Sequence, residues 1–183
     1  RKEFPEVCFS IDTYKPAVAE YMIKAGVDVL NDVNGAKGSN MAEVAAKYDV
    51  PIVIMHNGGV EEGCEVEQVV RELGESLDIC LAAGVKKENL IWDMGFGFGK
   101  SVQHNYQLLQ NLNEFCHSGY PVLAGLSRKS MIGAVLDKPV DQRVIGSAAG
   151  ALIAAQKGAK ILRVHDVAAT SDMLKVWQAT ENA

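Results

Sequence analysis

Six short apolar runs alternate along the chain with longer segments of helical period, and every run ends in a polar or charged group. The runs read as strands at Val7–Ile11, Val27–Leu30, Ile52–Met55, Leu90–Trp92, Val122–Gly125 and Ile161–Val164. Helices are predicted near Lys15–Ala25, Asn40–Tyr48, Glu65–Ala83, Gln103–His117, Gln142–Lys157 and Ala168–Ala179. Each carries apolar residues at i, i+3, i+4 spacing, as in the stripe Val66, Val69, Val70, Leu73 and Leu77. Glycine follows several of them (Gly26, Gly84, Gly119, Gly158), where a helix stops by turning left-handed. The strands lack polar alternation, which fits a parallel sheet covered on both faces.

A row of β/α units leaves a doubly wound sheet or a (β/α)8 barrel. After the strands come Asp12-Thr13, Asn31-Asp32, His56-Asn57, Asp93, Ser127-Arg128-Lys129 and His165-Asp166. An open sheet gathers its ligands near one switch point, whereas a barrel uses the carboxyl ends of all its strands. Polar endings on all the runs therefore predict an α/β fold of the (β/α)8 barrel type, with about six units in this chain. No linker or low-complexity tract divides residues 1–183, so a single domain is expected, the carboxyl-terminal portion of a longer one.

A net charge of −5 gives no electrostatic footprint for nucleic acid. No apolar run approaches the roughly 18 residues of a membrane span, and RKEFPEVCF lacks the features of a signal peptide. Cys8, Cys64, Cys80 and Cys116 form no CxxC pair, which suits a reduced, cytoplasmic protein. The chain opens on Arg1, as a piece of something longer would.

Gly95-Phe-Gly-Phe-Gly-Lys-Ser101 is neither a P-loop, which needs Gly where Met94 stands, nor a GxGxxG, which needs Gly at Lys100. It is either a flexible loop or one whose backbone approaches a planar or anionic ligand closely. Ser127-Arg128-Lys129-Ser130 suits an anion or a carbonyl oxygen, or else is a solvated basic loop. Arg163 and His165 alternate along a predicted strand and so share a side, where they suit phosphate oxygens; alternatively Arg163 pairs with Asp166 or Asp172. Asp12, Asn31 and Asp93 could together read the donor–acceptor edge of a nitrogen heterocycle, or Asp12-Thr13 and Asn31-Asp32 could cap helices. No His/Asp/Glu set has the spacing of a local metal site, and no GxSxG or HExxH motif is present.

Together the stretches FSIDTYKPAVAEYMIKAGVDVLNDVNG, VPIVIMHN, DMGFGFGKS with a following Asn, GYPVLAGLSRKSMIG and GAKILRVHDV resemble the dihydropteroate synthase family of pterin-binding barrels, in order and spacing, from about residue 7 to 175. That resemblance implies a transferase of folate biosynthesis, a family that includes sulfonamide targets. It would condense para-aminobenzoate with 7,8-dihydropterin pyrophosphate, releasing pyrophosphate, with Mg2+ as cofactor. It implies that Asp12, Asn31 and Asp93 read the pterin edge and that Met55 and Phe98 wall the pocket. Lys129 would contact the pterin carbonyl region near the incoming amine, and Ser130, with Phe98 close by, would hold the aminobenzoate carboxylate, aided by the amino end of the next helix. Arg163 and His165 would clamp the diphosphate, Arg163 also lying against the pterin; Lys129, Arg163 and His165 are the implied catalytic residues.

Two departures from the family pattern stand out. Met94 replaces the usual Pro, and two initial β/α units, with a metal- and diphosphate-contacting Asn, have no counterpart here. The chain could then bind a pterin yet turn over poorly. A homodimer through Gln142–Lys157 and Ala168–Ala179 is implied as well; the small residues of Ser147–Ala155 fit either close helix pairing or packing on the barrel itself. The alternatives are a pterin-dependent methyltransferase of the same superfamily, against which LSRKS and the Arg163–His165 pair speak, and a non-catalytic pterin-binding fragment.

Overall fold

A computed structural model describes residues 1–182, which divide into two compact units. The first comprises residues 1–57 and 67–93, the second residues 58–66 and 94–182. Six strands, β1 (Ser10–Asp12), β2 (Val29–Asp32), β3 (Ile52–Met55), β4 (Leu90–Asp93), β5 (Val122–Ala124) and β6 (Ile161–Leu162), are each followed by a helix. The helices are α1 (Pro16–Lys24), α2 (Met41–Tyr48), α3 (Glu65–Ala82), α4 (Val102–Gln110), α5 (Leu112–Cys116), α6 (Ser130–Leu136), α7 (Val144–Gln156) and α8 (Val167–Glu181). In the first unit β1, β2, β3 and β4 pair in sequence order, all parallel; in the second β5 pairs parallel with β6. The class is α/β, with six β/α units as expected.

Local chemistry accounts for most of the boundaries. Pro16 opens α1, its fixed φ suiting the first helical turn, and Gly26 ends it at φ 101°. On α3, Val69, Leu73 and Ser76 are buried, whereas Val70 is exposed because one residue step rotates it about 100° off the stripe. Strand ends move by a residue or two from the sequence reading. Asn31, Asp32 and Asp93 lie within their ladders, so these polar groups are the last residues of strands and not the first of loops. At the other end of β1, Phe9 already directs its carbonyl to the N–H groups of Asp28 and Val29, and regular pairing starts only at Ser10.

The helix expected over Gln103–His117 is broken at Asn111, whose side-chain amide donates to Gln107 O at 3.0 Å and competes with the helical ladder. A separate helix, α6, occupies Ser130–Leu136. Within the second unit α7 packs through its small residues: a Cβ on Gly146 would approach Leu136 Cδ1 to 2.6 Å, and one on Gly150 would approach Leu126 Cδ1 to 2.8 Å. The small stripe therefore serves packing against the chain's own side chains. Ile145 and Ile153 on the same helix are exposed.

Between α1 and α2 the Glu20 carboxylate accepts from Tyr48 Oη at 2.6 Å and Lys47 Nζ at 2.9 Å, with Lys24 Nζ 3.2 Å away. The Tyr48 hydroxyl, then Lys47 and Lys24, hold its pKa well below the ordinary 4.5, at about 2. A depressed carboxylate stabilises the fold above its unfolded pKa and ceases to as pH falls through its folded value. Glu20→Gln should therefore lower the urea midpoint at pH 6, and the difference from wild type should close between pH 4.5 and about 2. A pH-independent difference in urea titrations would rule this out.

Candidate functional site

In the first unit, register decides which side chains share a face. Aligned residues of parallel neighbours point the same way, and the direction repeats every second residue. Asp12 aligns with Asn31, Asn31 with Val53, Val53 with Ile91 and Met55 with Asp93. Asp12, Asn31, Met55 and Asp93 thus stand on one face, the last two one repeat further along the strands. Asn31, Met55 and Asp93 are buried, and Asp12 is exposed on the edge strand.

Asn31 is the most informative of these residues. It is 3 % exposed, and neither its amide nitrogen nor its amide oxygen has a hydrogen-bond partner among the described residues. Leaving one such group unsatisfied costs on the order of 1–3 kcal/mol, so a buried amide with both ends open is a recognition element and a poor structural one.

Asp32, its neighbour on the opposite face, does the reverse. Its carboxylate accepts the N–H groups of Asn34 at 3.0 Å and Ala36 at 2.9 Å, shaping the turn that follows β2. Burial raises its pKa, opposed by those two N–H groups and reinforced by the charge of Asp12. Neither Asp12-Thr13 nor Asn31-Asp32 caps a helix with a side chain. His56 is buried; its N–H donates to Asp93 O at 2.9 Å and its Nε2 lies 3.0 Å from Glu72 Oε2. The backbone carrying Asp93 is thereby tied to β3. Cys80 is buried as well, and burial pushes its thiol up to about 12, so it is inert.

In the second unit the cations separate by role. Lys129 directs its ammonium to Phe96 O, and that ammonium lies 4.8 Å from the centre of the Phe98 ring. Gly97 lies against the Lys129 stem: a Cβ there would approach Lys129 Cδ to 3.0 Å. Phe98 is half-buried. Lys129 occupies the N-cap position of α6, and Ser130 is the first, exposed residue of that two-turn helix.

Arg128 is not a ligand-facing group. At φ 56° it turns into a forked pair with Asp166, Nε to Oδ2 at 2.9 Å and Nη2 to Oδ1 at 2.5 Å. The Arg128 hydrogen bonds hold the Asp166 carboxyl below its usual value. Asp166, considered as a partner for Arg163, is thus engaged by Arg128, while Asp172 engages Lys175. Arg143 Nη1 donates to Arg128 O at 3.0 Å, and Ser147 Oγ accepts from Arg128 N at 2.8 Å, so the turn that presents Lys129 is held from α7.

The strand expected to carry both Arg163 and His165 ends at Leu162, with one further ladder bond from Arg163 N to Ala124 O at 3.0 Å. Strand alternation therefore does not aim the pair. The Arg163 guanidinium instead lies over Gly125 at the end of β5, where a Cβ would stand at ordinary contact distance, 3.4 Å from Nε, and Ser127 holds His165. Ser127 Oγ accepts from His165 N at 3.2 Å and lies 3.0 Å from His165 Nδ1. Ser127 thereby holds the imidazole of exposed His165 by its Nδ1 edge. Ser147 and Arg143 were invisible as site-builders in the sequence, and Ser127 was visible there only as part of a candidate anion loop, since only the fold brings them to these backbone atoms.

The units together present a class of protein: an α/β chain with buried amide and carboxylate groups at strand ends in one unit and fixed cations at strand ends in the other. A family model described as "Pterin binding enzyme" matches residues 1–165, and the chain belongs to that family. It is 64% identical over 182 residues to the dihydropteroate synthase of Haemophilus influenzae, covering 95% of this chain and 66% of that protein. Against the Escherichia coli dihydropteroate synthase identity is 41% over 186 residues, covering 97% and 66%. Among solved structures, Xanthomonas albilineans dihydropteroate synthase with 4-aminobenzoic acid superposes with TM-score 0.94 at 44% identity, covering 97% of this chain and 66% of that one. The same enzyme in complex with 7,8-dihydropteroate also gives 0.94 at 44% identity, with coverage of 97% and 68%. The chain spans about two thirds of the length of these relatives.

Proposed function

We propose that this chain carries the pterin-recognition and cation residues of a dihydropteroate synthase, which joins para-aminobenzoate to 7,8-dihydropterin pyrophosphate and releases pyrophosphate. The observation that carries the reading is the open amide of Asn31, on one sheet face with Asp12, Met55 and Asp93. An amide offers a donor and an acceptor, and carboxylates accept from ring N–H and exocyclic amino groups, which is the edge pattern of a pterin. Met55 and Phe98 supply apolar and aromatic wall, and Ser130 a hydroxyl for the aminobenzoate carboxylate.

The cations complete the chemistry. Breaking the C–O bond places negative charge on the departing diphosphate, and a fixed Arg163 guanidinium with the His165 imidazole stabilises that charge most in the transition state. Lys129, seated by Phe96 O and the Phe98 ring, acts on the pterin carbonyl side. The methylene becomes electron-poor as the bond stretches, so an aniline nitrogen attacks without a protein nucleophile. Among the described residues no group of three or more His, Cys, Asp or Glu could hold a metal ion. We place the ligands of the family's Mg2+ in the part of the relatives that this chain does not span.

Exposed Ile145 and Ile153 on α7 and Val176 on α8 support a homodimer through these helices, which sedimentation would detect. No helix among the described residues is long and apolar enough to cross a membrane, and we place the protein in the cytoplasm. The deciding experiment is pyrophosphate release on mixing 7,8-dihydropterin pyrophosphate with and without para-aminobenzoate. Release that depends on the amine is expected. Pterin binding with no release would indicate a binding fragment, and methyl transfer from a folate would indicate the methyltransferase.

A further inference from the structure

The glycine loop after β4 lies between two lysines, and only one of them reaches outward. Lys100 is 9 % exposed, and its ammonium donates to Gly95 O at 2.9 Å and Phe98 O at 3.2 Å. Gly95, Gly97 and Gly99 sit at φ 64°, 81° and 68°, alternating with Phe96 and Phe98. Only glycine holds such a series without strain, and the resulting curl converges two carbonyls on one cation. Gly99 is further constrained by close backbone approach, since a Cβ there would lie 2.8 Å from Gly58 C.

Asn105, 1 % exposed on α4, secures the same loop from its other side. Its Oδ1 accepts Gly97 N–H at 2.6 Å, and its Nδ2 donates to Ser101 O at 2.7 Å and Lys100 O at 3.2 Å. Both side chains thus bond to backbone atoms of residues 95–101. The outward surface of that segment is the seat of Lys129: Phe96 O takes its ammonium, the Phe98 ring lies beneath it, and bare Gly97 accommodates its stem.

We infer that Lys100 and Asn105 are positioning residues that form a latch inside the glycine loop, setting where the Lys129 ammonium stands. Without the Lys100 cation, Gly95 O and Phe98 O lose a charged donor in a buried place, and the loop must relax to find new ones. Such relaxation moves Phe96 O and the Phe98 ring, and Lys129 with them. This deepens the reading of Lys129 given above, and rests on that reading only for its turnover measurement.

The test labels lysines competitively with trace acetic anhydride and reads each site by mass spectrometry, with Lys2 as internal reference. In Lys100→Met and in Asn105→Leu, Lys129 labelling should rise severalfold relative to Lys2. Turnover should fall about ten- to hundredfold, with a raised KM for para-aminobenzoate, the size expected when a reacting group is misplaced by about an ångström. Should Lys100→Met fail to fold, Lys100→Arg replaces it, because a forked, bulkier head cannot fill the same carbonyl cup. Hydrogen exchange on the unsubstituted protein adds a check: Gly97 N–H should be protected although the residue is exposed. Unchanged Lys129 labelling in a folded latch variant, or rapid exchange at Gly97, overturns the inference. Absent pyrophosphate release from the wild type would overturn the proposed function instead, while the labelling result would still stand.

Discussion

Asn31→Leu should make the protein more stable and nearly unable to hold a pterin. Leucine branches as asparagine does, with two methyl groups in place of the amide oxygen and nitrogen, and among the described residues neither end of that amide has a partner to lose. Removing the unmet groups should raise the unfolding free energy by about 1–2 kcal/mol, because that desolvation cost is no longer borne by the folded state. Binding moves the other way. A site built to hydrogen-bond its ligand loses discrimination steeply when one side of the pairing is removed, so pterin affinity should drop by roughly a hundredfold or more. Urea titration and calorimetric titration with a pterin give the two numbers from one preparation. A destabilised variant with unaltered pterin affinity would show that Asn31 is a structural residue.

The second large effect concerns the cations. In a protein that turns over, Lys129→Ala and Arg163→Ala should each lower turnover by more than about tenfold, equivalent to roughly 1.4 kcal/mol of transition-state stabilisation. Each group is pre-aimed by contacts within its own unit. Lys129 is seated on Phe96 O and the Phe98 ring, and Arg163 lies over Gly125. A fixed cation needs no reorganisation as charge develops on the leaving group, which is why its removal costs more than a surface charge would. Arg128→Ala makes an instructive contrast, since Arg128 is committed to Asp166 and braces the turn; its loss should act through stability and Lys129 placement. Near-normal pyrophosphate release in both Lys129→Ala and Arg163→Ala would sink the role assignment.

Much of this was legible along the chain. The β/α alternation depends on spacing within one segment, and the polar strand ends are visible as residue types. Asp12, Asn31 and Asp93 stood out along the chain because each ends an apolar run, whereas Met55 came only with the family resemblance. The break at Asn111 was not legible: a helical stripe continues through it, and only the bond from its amide to Gln107 O competes with the ladder. The part played by Lys100 was not legible either: the resemblance singled out Lys129, and only burial shows Lys100 turned onto the loop's own carbonyls.

Local periodicity and residue chemistry are properties of neighbours in sequence, so the chain alone determined its strand–helix order, its class and the supply of amide, carboxylate and cationic groups at strand ends. Pairing between distant residues was decided by the tertiary structure. Register put Asn31 on one face with Asp12 and Asp93, and turned Asp32 to the other. Packing over 38 positions of sequence gave Asp166 to Arg128 and His165 to Ser127. Burial, which no single segment can specify, left one amide open and filled one carbonyl cup with Lys100.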